Sequence, residues 1–73
     1  MVRYEVETKI LPDENGNERV TYGIGAYRDS ELVDRIPDVS NDYEAVSELV
    51  RMMNEGELDA LHFTNVVEDF ILQ

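Results

Sequence analysis

One imidazole and a scatter of carboxylates are the side chains in this sequence whose types suit proton or metal chemistry. His62 is the only histidine, and cysteine is absent. A general base needs an orienting partner and a substrate atom within hydrogen-bond reach. Asp59 stands one helical turn before His62, and Glu68 and Asp69 lie further along the same segment. Glu68 and Asp69, with Glu55, Glu57 and Asp59, also offer the oxygen ligands that a hard cation takes. The spacing speaks against both uses. A histidine near a helix start is more often a capping or packing group. The stretch from Glu55 to Asp59 lacks the Asp-x-Asp-x-Asp-Gly loop and closing Glu of a calcium site. No catalytic residue, metal ligand or cofactor is therefore assigned.

Two further patterns carry less. Gly23-Ile24-Gly25 resembles part of a phosphate loop, but such a loop opens a helix and has a third glycine three residues beyond the second. Here that position is Arg28, and the alternation around it reads as strand. Ser30, Ser40 and Ser47 fall in a turn, a cap and a helix, and none has the strand–turn–helix setting of a nucleophile elbow. The glycines suggest another use. Gly23 and Gly25 lie on one strand face with Thr21, Tyr27, Arg3 and Arg19, which would leave a bare patch for a peptide, a partner backbone or a second copy.

The elements that position these residues follow from side-chain periodicity. Val2, Tyr4, Val6, Thr8 and Ile10 alternate with Arg3, Glu5, Glu7 and Lys9, and Val20, Tyr22, Ile24 and Ala26 resume the same parity. A period of two is a half-buried strand. The first strand runs from Val2 to Leu11, with Pro12 ending it. Asn15-Gly16 marks a hairpin. A two-residue loop would set Ile10 opposite Thr21 and mix the faces. A three-residue loop sets Ile10 opposite Val20, so Gly16 is expected in the left-handed region of a type I turn with a G1 bulge. The second strand spans Glu18 to Arg28, and Arg28-Asp29-Ser30 is a turn. Glu31 to Ile36 reads as a short edge strand, closed by Pro37, with Leu32 and Ile36 on one face and Val33 on the other.

From about Asn41 the apolar spacing becomes helical. Asn41 through Glu44 resembles a capping box, with Ser40 the competing cap. Val46, Leu49, Val50 and Met53 form one stripe, and Gly56 is placed as a left-handed C′ residue. Asp59 caps a second helix, with Leu58 and Phe63 as a hydrophobic staple and Val66, Val67, Phe70 and Ile71 continuing the face. The short link makes the helices antiparallel neighbours. The fold class is α+β, in the order βββαα. A single domain holds an antiparallel sheet over 1–36, as a hairpin or a three-stranded meander, and a helical hairpin over 41–72 packed on the even sheet face. The expected core is Val2, Tyr4, Val6, Ile10, Val20, Tyr22, Ile24, Val46, Leu49, Val50, Met53, Leu58, Phe63, Val66, Val67 and Phe70.

The Tyr22-Gly23-Ile24 strand, the Asp38-Val39-Ser40 approach to the first helix and the closing Val66-Val67-Glu68-Asp69-Phe70 together resemble a family of short acidic proteins from clostridia and related Firmicutes. That family is classed as a domain of unknown function, and in its pattern the position of Ala60 is often proline, which suits the first turn of a helix capped by Asp59. The resemblance implies origin and size class and brings no catalytic residues.

Charge narrows the function. There are 17 acids against 6 bases, a net charge of −11. Residues 40–73 hold 8 of the acids and Arg51 as their only fixed cation. Direct nucleic-acid binding and anionic membranes are disfavoured, because both need Lys and Arg. No apolar run approaches a membrane span, and no signal-peptide pattern precedes the first strand, so a complete cytoplasmic protein is expected. The leading expectation is a non-enzymatic protein-interaction or regulatory module for a partner that suits acidic surface, touching it through Thr21, Gly23, Gly25, Tyr27, Glu55, Glu57, Glu68 and Asp69. Two alternatives stand beside it: an acidic decoy that mimics nucleic acid, and a small enzyme or metal protein centred on His62 with Glu68 and Asp69. A homodimer remains open, since so short a chain buries little core. Tyr27, Met52, Leu61 and Leu72 are its candidate surface residues, though scattered apolar surface side chains are normal.

Overall fold

The alternation in the first half and the helical stripe in the second fold into the expected order. The computed structural model describes residues 1–73. It contains β1 (Val2–Pro12), β2 (Glu18–Arg28), β3 (Glu31–Ser40), α1 (Tyr43–Glu55), a 3-10 turn (Ala60–His62) and α2 (Phe63–Ile71). The strands form one antiparallel sheet in the order β1-β2-β3. Ile10 faces Val20. The loop is Glu14-Asn15-Gly16, with Gly16 at φ +82° and the Asp13 N–H donating to the Asn17 carbonyl at 2.7 Å. The Asp13 carboxylate accepts from the N–H groups of Asn15 and Asn17, which fixes the turn. Parity alone selected this loop, because only that register keeps both core faces together.

β3 departs from the expected short strand. It continues through Pro37 to Ser40. Two irregularities make that possible. Val33 is an extra residue between the Ala26–Asp34 and Tyr27–Leu32 pairs. Its bulge reverses the facing, so Leu32 lies on the odd face opposite Tyr27 while Ile36 lies on the core face opposite Ile24. Further on, Pro37, Asp38 and Val39 all oppose the single residue Gly23, between the pairs Ile24–Ile36 and Tyr22–Ser40. Proline is tolerated at such a bulge because no ladder bond is asked of it. Asp38 takes φ +55° there, and Val39 turns into the core.

The helices cover the even sheet face. Tyr4, Ile24, Ala26, Val39, Val46, Val50, Met53, Phe63 and Val67 are buried together, with Val2, Val6, Tyr22, Ile36, Leu49, Leu58, Val66 and Phe70 packed around them. Ile10 and Val20 are not part of it: they are 59% and 42% exposed. The hairpin runs past the end of the helical layer, so correct facing does not give them cover. Ile71 is likewise half exposed at the end of α2.

The helix ends also shift. Asp42, rather than Asn41 or Ser40, caps α1, its carboxylate accepting from the Ala45 N–H at 3.2 Å. Ser40 supports it by accepting from the Asp42 N–H. At the other end the left-handed residue is Glu57 (φ 51°), with Gly56 one residue too early at φ −83°. Leu58 N–H donates to the Met53 carbonyl and Glu57 N–H to that of Asn54, the two bonds of a Schellman motif. Asp59 does cap, accepting from Leu61 N–H, but what it caps is a 3-10 turn and α2 follows at Phe63.

The β2–β3 connection is a two-residue turn in which Asp29 and Ser30 both have positive φ, 51° and 70°. A type I′ turn demands this and favours glycine second. Ser30→Gly is expected to raise stability by about 0.5–1 kcal/mol by relieving the left-handed strain. The shift in urea midpoint at constant slope measures it.

Candidate functional site

Two surfaces collect polar or accessible apolar groups: the odd face of the sheet and the cleft between the helices. On the odd face, alternation aligns Glu7 with Gly23 and Lys9 with Thr21 across the β1–β2 pair. The missing side chains of Gly23 and Gly25 let other groups settle on the sheet. Over Gly23 comes the β3 bulge: a Cβ there would lie 2.6 Å from the Ile36 carbonyl oxygen and 2.8 Å from Pro37 Cα. Over Gly25 come the Glu7 carboxylate and the Tyr27 ring, each 2.9 Å from where a Cβ would be. Both glycines and Thr21 are buried. The expected bare patch is therefore filled by the chain itself, and no partner backbone can lie on the glycines.

The groups that fill it form two adjacent polar clusters. Glu7 accepts from Arg35 Nε at 2.6 Å, from Arg35 Nη2 at 3.0 Å and from the Tyr27 hydroxyl at 2.8 Å. The forked contact with Arg35, aided by Tyr27, holds the Glu7 carboxyl below its ordinary value of 4.5, against a smaller opposing effect of burial. Tyr27 is raised in turn by the same hydrogen bond to Glu7. Alongside, the Thr21 hydroxyl donates to Asp38 at 2.5 Å, and Arg19 Nη2 lies 3.5 Å from the other Asp38 oxygen. Asp38 is lowered, first by the Thr21 hydrogen bond and then by Arg19. A shallow basin of about 300 Å³ remains, lined by Glu7, Thr8, Lys9, Gly23, Arg35, Pro37 and Asp38. Its carboxylates are firmly ionised and already bonded, so neither is poised to exchange a proton near neutral pH. Lys9 is the one lining cation without an ion pair.

The helical half is arranged differently. Arg51 is clamped by Glu48 and, at 2.6 Å, by Glu55. Two carboxylates thus share the only fixed cation of residues 40–73. Between α1 and α2 runs an open groove of about 380 Å³, with Leu49, Met52, Val66 and Phe70 as its apolar floor and Glu48 and Asp69 beside them. Met52 is 58% exposed there. His62 is exposed at the end of the 3-10 turn and its imidazole makes no hydrogen bond within the chain. Asp59 spends its carboxylate on the Leu61 N–H. Glu57 occupies the left-handed cap, and Glu68 is exposed on α2. No three His, Asp or Glu side chains converge to hold a metal ion.

Arg35 and Asp38, central to the odd face, are not among the candidate site residues that the sequence suggests. Both lie on β3, where two bulges erase the alternation that would have placed them. The only local sign is Pro37 inside an otherwise continuing strand.

The fold and its surfaces define a small α+β domain with an open groove and no deep pocket. The chain belongs to a family of unknown function, DUF6514, whose model matches residues 1–73. Neither the curated proteins nor the solved structures give a match.

Two outcomes test this geometry. Gly23→Ala is expected to cost about 2 kcal/mol or more, because its Cβ would strike backbone that cannot step aside. Gly25→Ala should cost less, since the nearest atoms are the mobile ends of side chains. Denaturant unfolding of both variants checks the order. The second outcome concerns pH. The folded-state value of Glu7 is depressed, so its contribution is present above the unfolded value and is lost as pH falls through the folded one. Glu7→Gln should therefore be less stable than the parent at pH 7, and the gap should close on acidification below about pH 4.5. Comparing urea midpoints at the two pH values measures the closure and cancels the effects of the other acids.

Proposed function

We propose that this chain is a non-enzymatic protein-interaction module whose α1–α2 groove receives a basic, amphipathic segment of a partner protein. The observation that carries this reading is the pairing of an apolar floor (Leu49, Met52, Val66 and Phe70) with Asp69, which has no ion pair, and with Glu48, which shares Arg51 with Glu55, on a helical half that has no other fixed cation. An apolar strip enters such a floor, and flanking Lys or Arg meets the acids, which is the recognition mode of a helix laid in a groove. Long-range attraction by the net negative charge would speed encounter with a basic partner. Glu55, Glu57 and Glu68 add to that field without forming the contact. The reading takes from the resemblance a Firmicutes origin and assumes a cytoplasmic setting, which suits a cysteine-free chain. No helix is long and apolar enough to cross a membrane.

The test is affinity capture with the wild-type chain and with the double variant Met52→Lys/Asp69→Lys, whose fold is first verified by circular dichroism. A stoichiometric basic protein should be held by the wild type at low salt, be released at high salt and be lost with the variant. Recovery of the same proteins on both baits, or of no stoichiometric protein on the wild type, would sink the reading.

A further inference from the structure

The free edge of β1 carries an inference that does not depend on the groove. β1 is an outer strand. Its backbone groups alternate between facing β2 and facing outward. Asp13 bonds to Asn17 across the hairpin, so odd residues face β2. Tyr4 gives its N–H to Asn54 Oδ1 at 2.8 Å and its carbonyl accepts from Asn54 Nδ2 at 2.9 Å, so even residues face outward. The register is unbroken from Val2 to Pro12. Val6, Thr8 and Ile10 thus present unpaired N–H and C=O groups along an open edge. The asparagine blocks one end of that window at Tyr4, and Pro12, which lacks an N–H, closes the other. Such an edge is a template for another strand unless something covers it.

We propose that β1 pairs antiparallel with β1 of a second copy of this chain about a two-fold axis at Thr8, joining the two sheets into one. The register is selected by the side chains. With the axis at Thr8, Thr8 faces the partner's Thr8, and Val6 faces the partner's Ile10, each pair exchanging backbone hydrogen bonds. Glu7 then faces the partner's Lys9, and Lys9 the partner's Glu7, so each lysine, without an ion pair in the single chain, gains one. Other axes fail. At Glu7 or Lys9, like charges meet. At Val6, the blocked Tyr4 meets Thr8 and Glu5 meets Glu7. At Ile10, Pro12 meets Thr8 and Glu7 meets Asp13. The two helical layers fall on the same side of the joined sheet. The partner's Ile10, 59% exposed in one chain, comes beside Val6 at the margin of the core. This is an isologous contact, in which one patch complements itself.

Two chains of −11 repel, so the measurement belongs at physiological or higher ionic strength, where screening acts within about 8 Å or less. Sedimentation equilibrium of the full chain should give twice the chain mass. Thr8→Pro removes an N–H that points outward and makes no bond within the single chain, and should give a monomer with unchanged circular dichroism. Lys9→Glu sets carboxylates against each other and should raise the dimer dissociation constant by an order of magnitude or more. A wild type that stays monomeric at its highest soluble concentration, or a dimer that survives Thr8→Pro, overturns the proposal. Should Thr8→Pro fail to fold, hydrogen exchange of the wild type decides. Slowing of the Val6, Thr8 and Ile10 amides with rising concentration supports the edge pairing, and exchange independent of concentration refutes it.

Discussion

Tyr4 holds this domain together through four separate contacts, and most of the other elements depend on them. Its N–H and its carbonyl are both bonded by the Asn54 amide, near the end of α1. Its hydroxyl donates to the Leu58 carbonyl at 2.8 Å, in the turn that follows α1. Its ring packs against Phe63, the first residue of α2, with centroids 5.2 Å apart. A single residue of the first strand therefore fixes where α1 stops, how the Schellman turn sits and where α2 begins. Burial and the nearby Asp59 push the phenol above its ordinary value, so the hydroxyl remains a donor across the neutral range. In a chain this short, where hydrophobic burial is limited, satisfying buried polar groups with such economy matters more than in a large domain.

The odd face answers a different constraint. A strand that contains Pro37 has to leave the ladder and rejoin it, and the room for that detour is Gly23. The close approach of the Ile36 carbonyl and Pro37 makes glycine obligatory there. The detour carries Asp38 to the Thr21 hydroxyl, and Arg35 on the same strand reaches Glu7. The polar clusters are thus the means by which a bulged edge strand is tied down. Their carboxylates are satisfied, and this is why a face rich in ionisable groups lacks a proton donor or acceptor matched to neutral pH.

Periodicity made the architecture legible. Parity through Val20, Tyr22 and Ile24 fixed the hairpin register, and the stripe through Val46, Leu49, Val50 and Met53 fixed the face of α1. What periodicity cannot express is how far a layer extends: Ile10 and Val20 face the correct side but lie beyond the helices. Nor can it survive an inserted residue, so Val33 and the Pro37–Val39 bulge hid the true reach of β3 and the burial of Val39. Glycine inside a strand signals a bend or a close backbone approach, and Gly23 meets such an approach. The approaching chain is β3 itself, and a strand broken by proline gave no sign that it would come back. The carboxylates of the helical half were identifiable as unneutralised from composition, whereas the Arg51 clamp needed the helix geometry that sets Glu48 and Glu55 on its two sides.

The reach of the first hairpin is the remaining asymmetry. Each of its strands is 11 residues long, and the molecule extends 42 Å along its longest axis but 18 Å along its shortest. The helical layer protects the half around Tyr4 and Ile24, leaving the half around Ile10 and Val20 uncovered. A hairpin needed only to complete the core could end earlier, since exposed Ile and Val there contribute little burial to the monomer. Natural edge strands of this length are usually blunted by charge, bulge or cover. On β1 cover is confined to Asn54 at one end and Pro12 at the other, with the charges of Glu5, Glu7 and Lys9 between them, while the bulges are all on β3. The two edges of the sheet are thus treated unequally: the irregular one is bonded down to its own sheet, and the regular one retains a short window of outward-facing backbone that ends near the exposed Ile10. That inequality follows from the register, which is unbroken along β1 and interrupted twice along β3.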